Sequence, residues 1–279
     1  MAKRLPAVLT QLWALLRQPA PASVQQPYPK LRNFILDVMA EGRRKNTINL
    51  LFEAEVAPMR RHLAAHAERV SLTSSIARSL ACAVNENRAM HAYRKGKRQL
   101  TVFEDIDLTF MVERDIGGAA LPVNFIVRAA QRKAAGEIHD ELQRAKQAAL
   151  GQGGPLSAVE KFFFELPRPL RRIVWFFIRR DPVMFKDLVG TVGITSMGMH
   201  AQGAAVVIPI TPMTLTLSIG AIGRKLVLED GVPVEREFIQ LNLGADHDII
   251  DGAPLMRFCT RFKAMLEAGC ALEPPQRTH

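Results

Sequence analysis

The residues best suited to acid–base chemistry lie near the C-terminus. His247 is flanked by Asp246 and Asp248, with Asp251 four positions on, inside Gly244-Ala245-Asp246-His247-Asp248-Ile249-Ile250-Asp251-Gly252-Ala253-Pro254. An imidazole held at a rigid position with a carboxylate close by is a candidate general base. Two plainer readings stand beside it: a structural imidazole at a turn, or a metal ligand among the carboxylates. A mononuclear metal site ordinarily needs a second His or Cys within helical or hairpin reach. None is near, and no metal is assigned. A second pair of candidates, Thr195 and Ser196, sits in Ile194-Thr195-Ser196-Met197-Gly198. Two hydroxyls at a strand end can hydrogen-bond a developing oxyanion. Their plainer reading is β-propensity for Thr and turn preference for Ser.

The flanking residues set the geometry. Phe238 to Leu243 alternates apolar and polar, the period of a half-buried strand, while Leu255, Phe258, Phe262, Met265 and Leu266 recur at helical spacing. His247 is thus expected in a tight strand-to-helix junction, with Asp251-Gly252 as the turn and Pro254 in the first helical turn. Thr195 and Ser196 are expected at the end of a strand over 190–197. Further strands are expected over 46–56, 100–113, 121–127, 204–210 and 214–222, and as a hairpin over 226–243 turning at Gly231. Helices are expected over 58–67, over 73–87 with Thr73-Ser74-Ser75 as its cap, and over 129–149. Strands, then helices, then a strand-rich second half predict a mixed α/β sandwich.

The chain has 279 residues, 48% of them hydrophobic, and a formal net charge of +10. That is core enough for one large domain, and the charge favours anionic partners. Aromatic residues are sparse and no stacking motif is visible, so nucleic acid is not expected as a partner. Three scattered cysteines, Cys82, Cys259 and Cys270, predict a reduced, cytoplasmic protein in which the first two are small core residues. No stretch approaches the length of a membrane span.

Residues 1–29 read as a short amphipathic helix over 5–17 followed by a Pro-rich linker, 30–272 as the main domain, and 273–279 as a tail. Within the domain, about 155–188 is unusual: Phe162-Phe163-Phe164 and Ile173 to Ile178 are bracketed by arginines. Large apolar runs usually belong to a core, but one flanked by cations also suits a membrane surface, with peripheral contact through 162–180. The alternative is a buried helical hairpin covering the core.

Asp-His-Asp-Ile-Ile-Asp-Gly-Ala resembles the His-x-x-x-Asp-Gly signature of the chloramphenicol acetyltransferase-like superfamily. It is most similar to the catalytic domain of the dihydrolipoamide acyltransferases of 2-oxoacid dehydrogenase complexes. Gly193-Ile194-Thr195-Ser196, Ile208-Pro209-Ile210, Ser218 to Ile222 and the Val227 to Val234 hairpin extend the likeness, which covers roughly 30–270 and is strongest in the last ninety residues.

The resemblance implies a mixed-sheet, two-layer α/β sandwich, a homotrimer, and an acyl-CoA-dependent acyltransferase whose site forms between subunits. It implies that His247 takes the proton from an acceptor thiol, hydroxyl or amine. Thr195, where the family has Ser, would support the tetrahedral intermediate, with Ser196 beside it. Asp251 would hold the turn through a buried ion pair or hydrogen bonds. Coenzyme A or acyl-CoA would be the co-substrate, with CoA-contacting residues unassigned and the acceptor unknown. Three departures stand out: no lipoyl domain or lipoylation hairpin, the insertion at 155–188, and Asp248 where the family has Arg. A carboxylate beside the base would favour protonated imidazole unless it points away. These departures predict a stand-alone enzyme, or alternatively a catalytically inactive scaffold or membrane-surface adaptor with the same fold.

Overall fold

A computed structural model describes residues 23–24, 28, 32–65, 70–116, 119–147, 166–196 and 204–269. The helix expected over 5–17, Cys270, Phe162 to Phe164, Met197 and Gly198 lie outside them. In chain order the elements are α1 (Arg32–Gly42), β1 (Thr47–Glu55), α2 (Ala57–Ala65), α3 (Leu72–Glu86), β2 (Tyr93–Lys95), β3 (Gln99–Thr101), β4 (Leu108–Ile116), β5 (Ala119–Val127), α4 (Ala135–Gln147), α5 (Arg168–Ile178), α6 (Pro182–Val189), β6 (Val192–Ser196), β7 (Leu215–Glu229), β8 (Val232–Asp246) and α7 (Gly252–Glu267).

Six strands form one mixed sheet in the order β1-β8-β7-β6-β4-β5, and β2 and β3 form a separate hairpin. β6 runs parallel to both β4 and β7, and the other pairs are antiparallel. Alternation decides which face is buried. Val192 and Ile194 of β6, Leu215, Leu217 and Ile219 of β7, and Leu241, Leu243 and Ala245 of β8 share one core with Ile76 and Leu80 of α3, Ile138 of α4 and Phe258 and Phe262 of α7. Helices therefore cover one face of the sheet, giving the expected two-layer sandwich. The opposite face is polar: Thr195, Thr216, Ser218 and Asn242 alternate with those core residues.

Four sequence expectations are corrected. Residues 204–210 form no strand: Pro209 and Pro212 have no N–H to give a ladder, and the segment instead crosses the polar face, where the Ala205 carbonyl accepts the Ala221 N–H at 2.8 Å beside a bulge in β7. Ser71, not Thr73, caps α3 and accepts the Ser74 N–H. Residues 100–113 divide into the end of β3 and the start of β4. Helix α4 begins at Ala135, after a 3-10 turn over Ala130–Arg132. Cys259 is buried in the core and Cys82 packs against it.

A smaller core joins the β2–β3 hairpin to α5 and α6. Tyr93, Trp175, Ile178, Phe185, Val189 and Met213 pack together, and the Tyr93 hydroxyl donates to the Gly190 carbonyl at 2.7 Å. Gly190 has φ +78°, and a Cβ there would lie 2.1 Å from Thr109 Oγ1, so only glycine fits between α6 and β6. Asp107 anchors the same corner. Burial pushes its carboxyl up, but Lys186 at 2.9 Å, the Ala129 N–H and Arg128 outweigh that and hold it below the usual carboxylate range.

His91, fully buried beside Phe103, is held neutral: burial pushes its pKa down to about 4. An unfolded imidazole titrates near 6.5. As pH falls from about 6.5 towards 4, the unfolded chain takes a proton that the folded chain refuses. Stability is therefore lost through that window, by about 3 kcal/mol in full. Urea unfolding at a series of pH values should show this decline in the wild type and a flatter profile in His91→Phe. An equal decline in both would remove His91 as its cause.

Candidate active site

β8 ends at Asp246, and the chain turns through His247, Asp248 and Ile249 before α7. Asp246, 5% exposed, builds the turn. Its N–H reaches the Thr214 carbonyl at 2.9 Å, and its own carbonyl accepts the Ile249 and Ile250 N–H groups at 3.0 and 2.9 Å. Its carboxylate accepts the Asp248 N–H at 3.2 Å and pairs with Lys45 at 2.6 Å. The His247 N–H donates to the Asn46 carbonyl at 2.8 Å. Residues 45 and 46, just before β1, thus grip the turn from the neighbouring strand.

The structure places His247 where the sequence predicts it, in a strand-to-helix junction, with its side chain 44% exposed. His247 Nδ1 lies 3.7 Å from Asp251 Oδ1, near but beyond hydrogen-bond length. Asp251 corrects an expectation. Its side chain is 82% exposed and makes no capping hydrogen bond at the start of α7. The buried carboxylate that shapes the turn is Asp246. Nothing in the linear sequence separated these two aspartates, because Lys45 lies two hundred residues away.

Asp248 is also placed by distant partners. Asn46 Nδ2 donates to its Oδ1 and Arg94 to its Oδ2, both at 2.8 Å. The Asp248 carboxylate is therefore balanced by an arginine from β2. This bond ties the β2–β3 hairpin, with exposed Lys95, Lys97 and Arg98 at its tip, to the histidine turn.

Thr195 and Ser196 lie farther along the sheet, at the C-terminal end of β6. Thr195, 8% exposed, pairs in register with Ser218, and Ser218 with Asn242. Buried Ser218 Oγ and Asn242 Oδ1 have no hydrogen-bond partner among the described residues. These three residues form a polar row that the sequence did not mark, since Ser218 and Asn242 read as ordinary strand positions. His247 lies five residues beyond Asn242 along β8 and two strands across from β6. At ordinary strand rise and spacing, Thr195 and His247 of one chain are about 15 Å or more apart. A base and an oxyanion donor must each come within about 3 Å of the reacting group. One chain alone does not bring these two together.

Residues 184–272 match the family model of the 2-oxoacid dehydrogenases acyltransferase (catalytic domain). The match spans the last third of the chain. The probable dihydrolipoamide acetyltransferase of Listeria monocytogenes superposes with a TM-score of 0.66 at 16% identity, covering 92% of this chain and 98% of that one. The dihydrolipoamide acetyltransferase of Azotobacter vinelandii gives 0.66 at 13% identity over 92% and 100%. A truncated catalytic core of the 2-oxoacid dehydrogenase multienzyme complex of Thermoplasma acidophilum gives 0.60 at 20% identity over 89% and 99%. The fold over about nine-tenths of the chain is that of these catalytic cores. Comparison with curated protein sequences returned no match.

The two ion pairs of the turn differ in burial, and their removal should differ accordingly. Lys45→Met leaves the buried Asp246 carboxylate unpaired and should cost about 3 kcal/mol or more. Arg94→Met opens a pair that is 47% and 35% exposed and should cost at most about 1 kcal/mol. Equilibrium urea unfolding of both variants checks the contrast, and equal losses would contradict this division of roles.

Proposed function

We propose that the protein transfers an acyl group from acyl-CoA to an acceptor, in a site assembled from two copies of the chain. His247 of one copy takes the proton from the acceptor thiol, hydroxyl or amine. The acceptor then attacks the thioester carbonyl, and Thr195 of a neighbouring copy, with Ser196 beside it, donates to the oxyanion. When that intermediate collapses, the carbon–sulfur bond breaks and coenzyme A leaves, taking up the proton. Transfer is direct, since no activated Ser or Cys nucleophile is present in the described turn.

The observation that carries this reading is the separation of His247 and Thr195 in one chain, together with their spacing along it. The catalytic serine and histidine studied in the Azotobacter enzyme lie 52 residues apart, and its histidine and asparagine four. Thr195 and His247 are separated by the same 52 residues, and His247 and Asp251 by the same four. Threonine keeps the hydroxyl donor. Aspartate at 251 is an exposed neighbour of the base, within reach of a charge forming on the ring. The polar sheet face beside Thr195 also carries apolar residues suited to a second copy: Leu51, Val207 and Ile208 are 58%, 48% and 53% exposed. A homotrimer, the arrangement the sequence resemblance implies, would supply each site with one histidine and one hydroxyl.

The charge around the turn favours an anionic co-substrate. Lys95, Lys97 and Arg98 sit on the hairpin that Arg94 fastens to the turn, and phosphates of coenzyme A are suitable partners for such a group. Release of coenzyme A from a panel of short- and long-chain acyl-CoAs, offered dihydrolipoamide, small alcohols and amines, tests the reading. Turnover with one acceptor should fall roughly 10²–10⁴-fold in His247→Ala. Folded wild type and mutant that release coenzyme A at equal rates with every acceptor would refute it.

A further inference from the structure

Helix α5 has two faces of opposite character. Arg171, Trp175 and Ile178, 5%, 3% and 5% exposed, form the inner face. Arg171 pairs there with Asp37 of α1 at 2.6 Å. Leu170, Ile173 and Phe177, at spacings of three and four, form the outer face and are 47%, 53% and 60% exposed. Val183 and Met184 of α6 add further exposed apolar surface, 54% and 50%. The expected buried hairpin is thus only half right: Trp175 and Ile178 are buried, whereas Leu170, Ile173 and Phe177, within the expected span 162–180, are not.

Cations border the outer face. Arg168, Arg172 and Arg180 are exposed and have no acidic partner among the described residues, and Arg180 lies over the Phe176 ring at 3.8 Å. Arg179 differs, being directed to Glu41 of α1 at 3.6 Å. Between α1 and α5 opens a cleft of about 720 Å³, lined by Arg168 and Arg172 as well as Ile173 and Phe177. The surface therefore combines protruding apolar side chains with unpaired guanidinium groups at their edge. A protein core would bury the first and pair the second.

We infer that α5 and the start of α6 form a membrane-surface contact for anionic lipid. Leu170, Ile173 and Phe177 enter the acyl boundary, with Val183 and Met184 behind them. Arg168, Arg172 and Arg180 meet lipid phosphates at headgroup level. Charge complementarity selects this occupant: a net charge of +10 and three arginines without acidic partners among the described residues, around an apolar stripe, fit an anionic bilayer. The contact is interfacial, since no described helix is long and apolar enough to cross a membrane. It is independent of the catalytic reading, because it uses no residue of the histidine turn or of β6.

The test is sedimentation of the full chain with phosphatidylcholine vesicles, with and without phosphatidylglycerol. Wild type should bind only the anionic vesicles and should be weakened by salt. Each basic residue at an anionic surface contributes roughly fivefold, so Arg168→Gln/Arg172→Gln/Arg180→Gln should bind on the order of a hundredfold more weakly. Ile173→Ser/Phe177→Ser should also lose binding, whereas Arg144→Gln/Arg224→Gln/Arg257→Gln, removing equal charge elsewhere, should stay within a few fold of wild type. Phe177→Trp should show blue-shifted emission on anionic vesicles and quenching by brominated lipid. Failure of wild type to bind, equal losses from the two arginine triples, or an unshifted Phe177→Trp spectrum would overturn the inference. So would a change in assembly mass by light scattering in Ile173→Ser/Phe177→Ser without vesicle binding by wild type, which would make this face an interface between copies.

Discussion

The buried pair between Asp246 and Lys45 is the constraint on which the candidate site depends. A carboxylate 6% exposed at the end of a central strand is tolerated only with a partner, and Lys45 supplies one from the residue before last ahead of β1. The same carboxylate caps the Asp248 N–H, and the Asp246 carbonyl closes the turn onto Ile249 and Ile250. His247 is thereby fixed to the rigid end of a six-stranded sheet, while its ring stays accessible. Lys45 also lies 5.6 Å from the Tyr93 ring centroid, linking the turn to the smaller core under α5 and α6. The imidazole is aimed by backbone and buried charge, and Asp251 stands outside that scaffold.

The sheet topology then dictates a consequence for mechanism. Parallel pairing of β6 with β7, and antiparallel pairing of β7 with β8, makes β6 and β8 run in opposite directions, so their C-terminal ends point away from one another. No side-chain movement spans the resulting gap of about 15 Å. If both groups act on one thioester, two chains must meet, and the polar row of Thr195, Ser218 and Asn242 must face the histidine turn of a neighbour. Ser218 Oγ and Asn242 Oδ1 of that row are buried without partners among the described residues.

Local features were the legible ones. The strand-to-helix junction around His247 was written in adjacent residues: alternation up to Leu243, then helical spacing from Leu255. The hairpin of β7 and β8 was likewise signalled by Asp230-Gly231, both of which take positive φ. What escaped the sequence was non-local. The apolar run at 206–210 has strand composition but no strand beside it to pair with. Asp246 and Asp251 look alike in the sequence, and only Lys45 tells them apart. Arg94, which balances Asp248, is more than 150 positions away. In α5 the apolar run hid two faces, which only the packing of Trp175 and the Arg171–Asp37 pair separates.

The most direct test of a site shared between copies is complementation by mixing. His247→Ala and Thr195→Ala/Ser196→Ala chains are each purified inactive, denatured together, refolded in equal amounts and assayed for coenzyme A release. Random assembly of a closed ring puts an intact histidine against an intact hydroxyl at about a quarter of the interfaces. A return to about a quarter of wild-type activity in the mixture, with none in either parent refolded alone, is the expected result. A mixture as inactive as its parents, in assemblies shown by mass to contain both chains, would contradict a site built from His247 of one copy and Thr195 of the next.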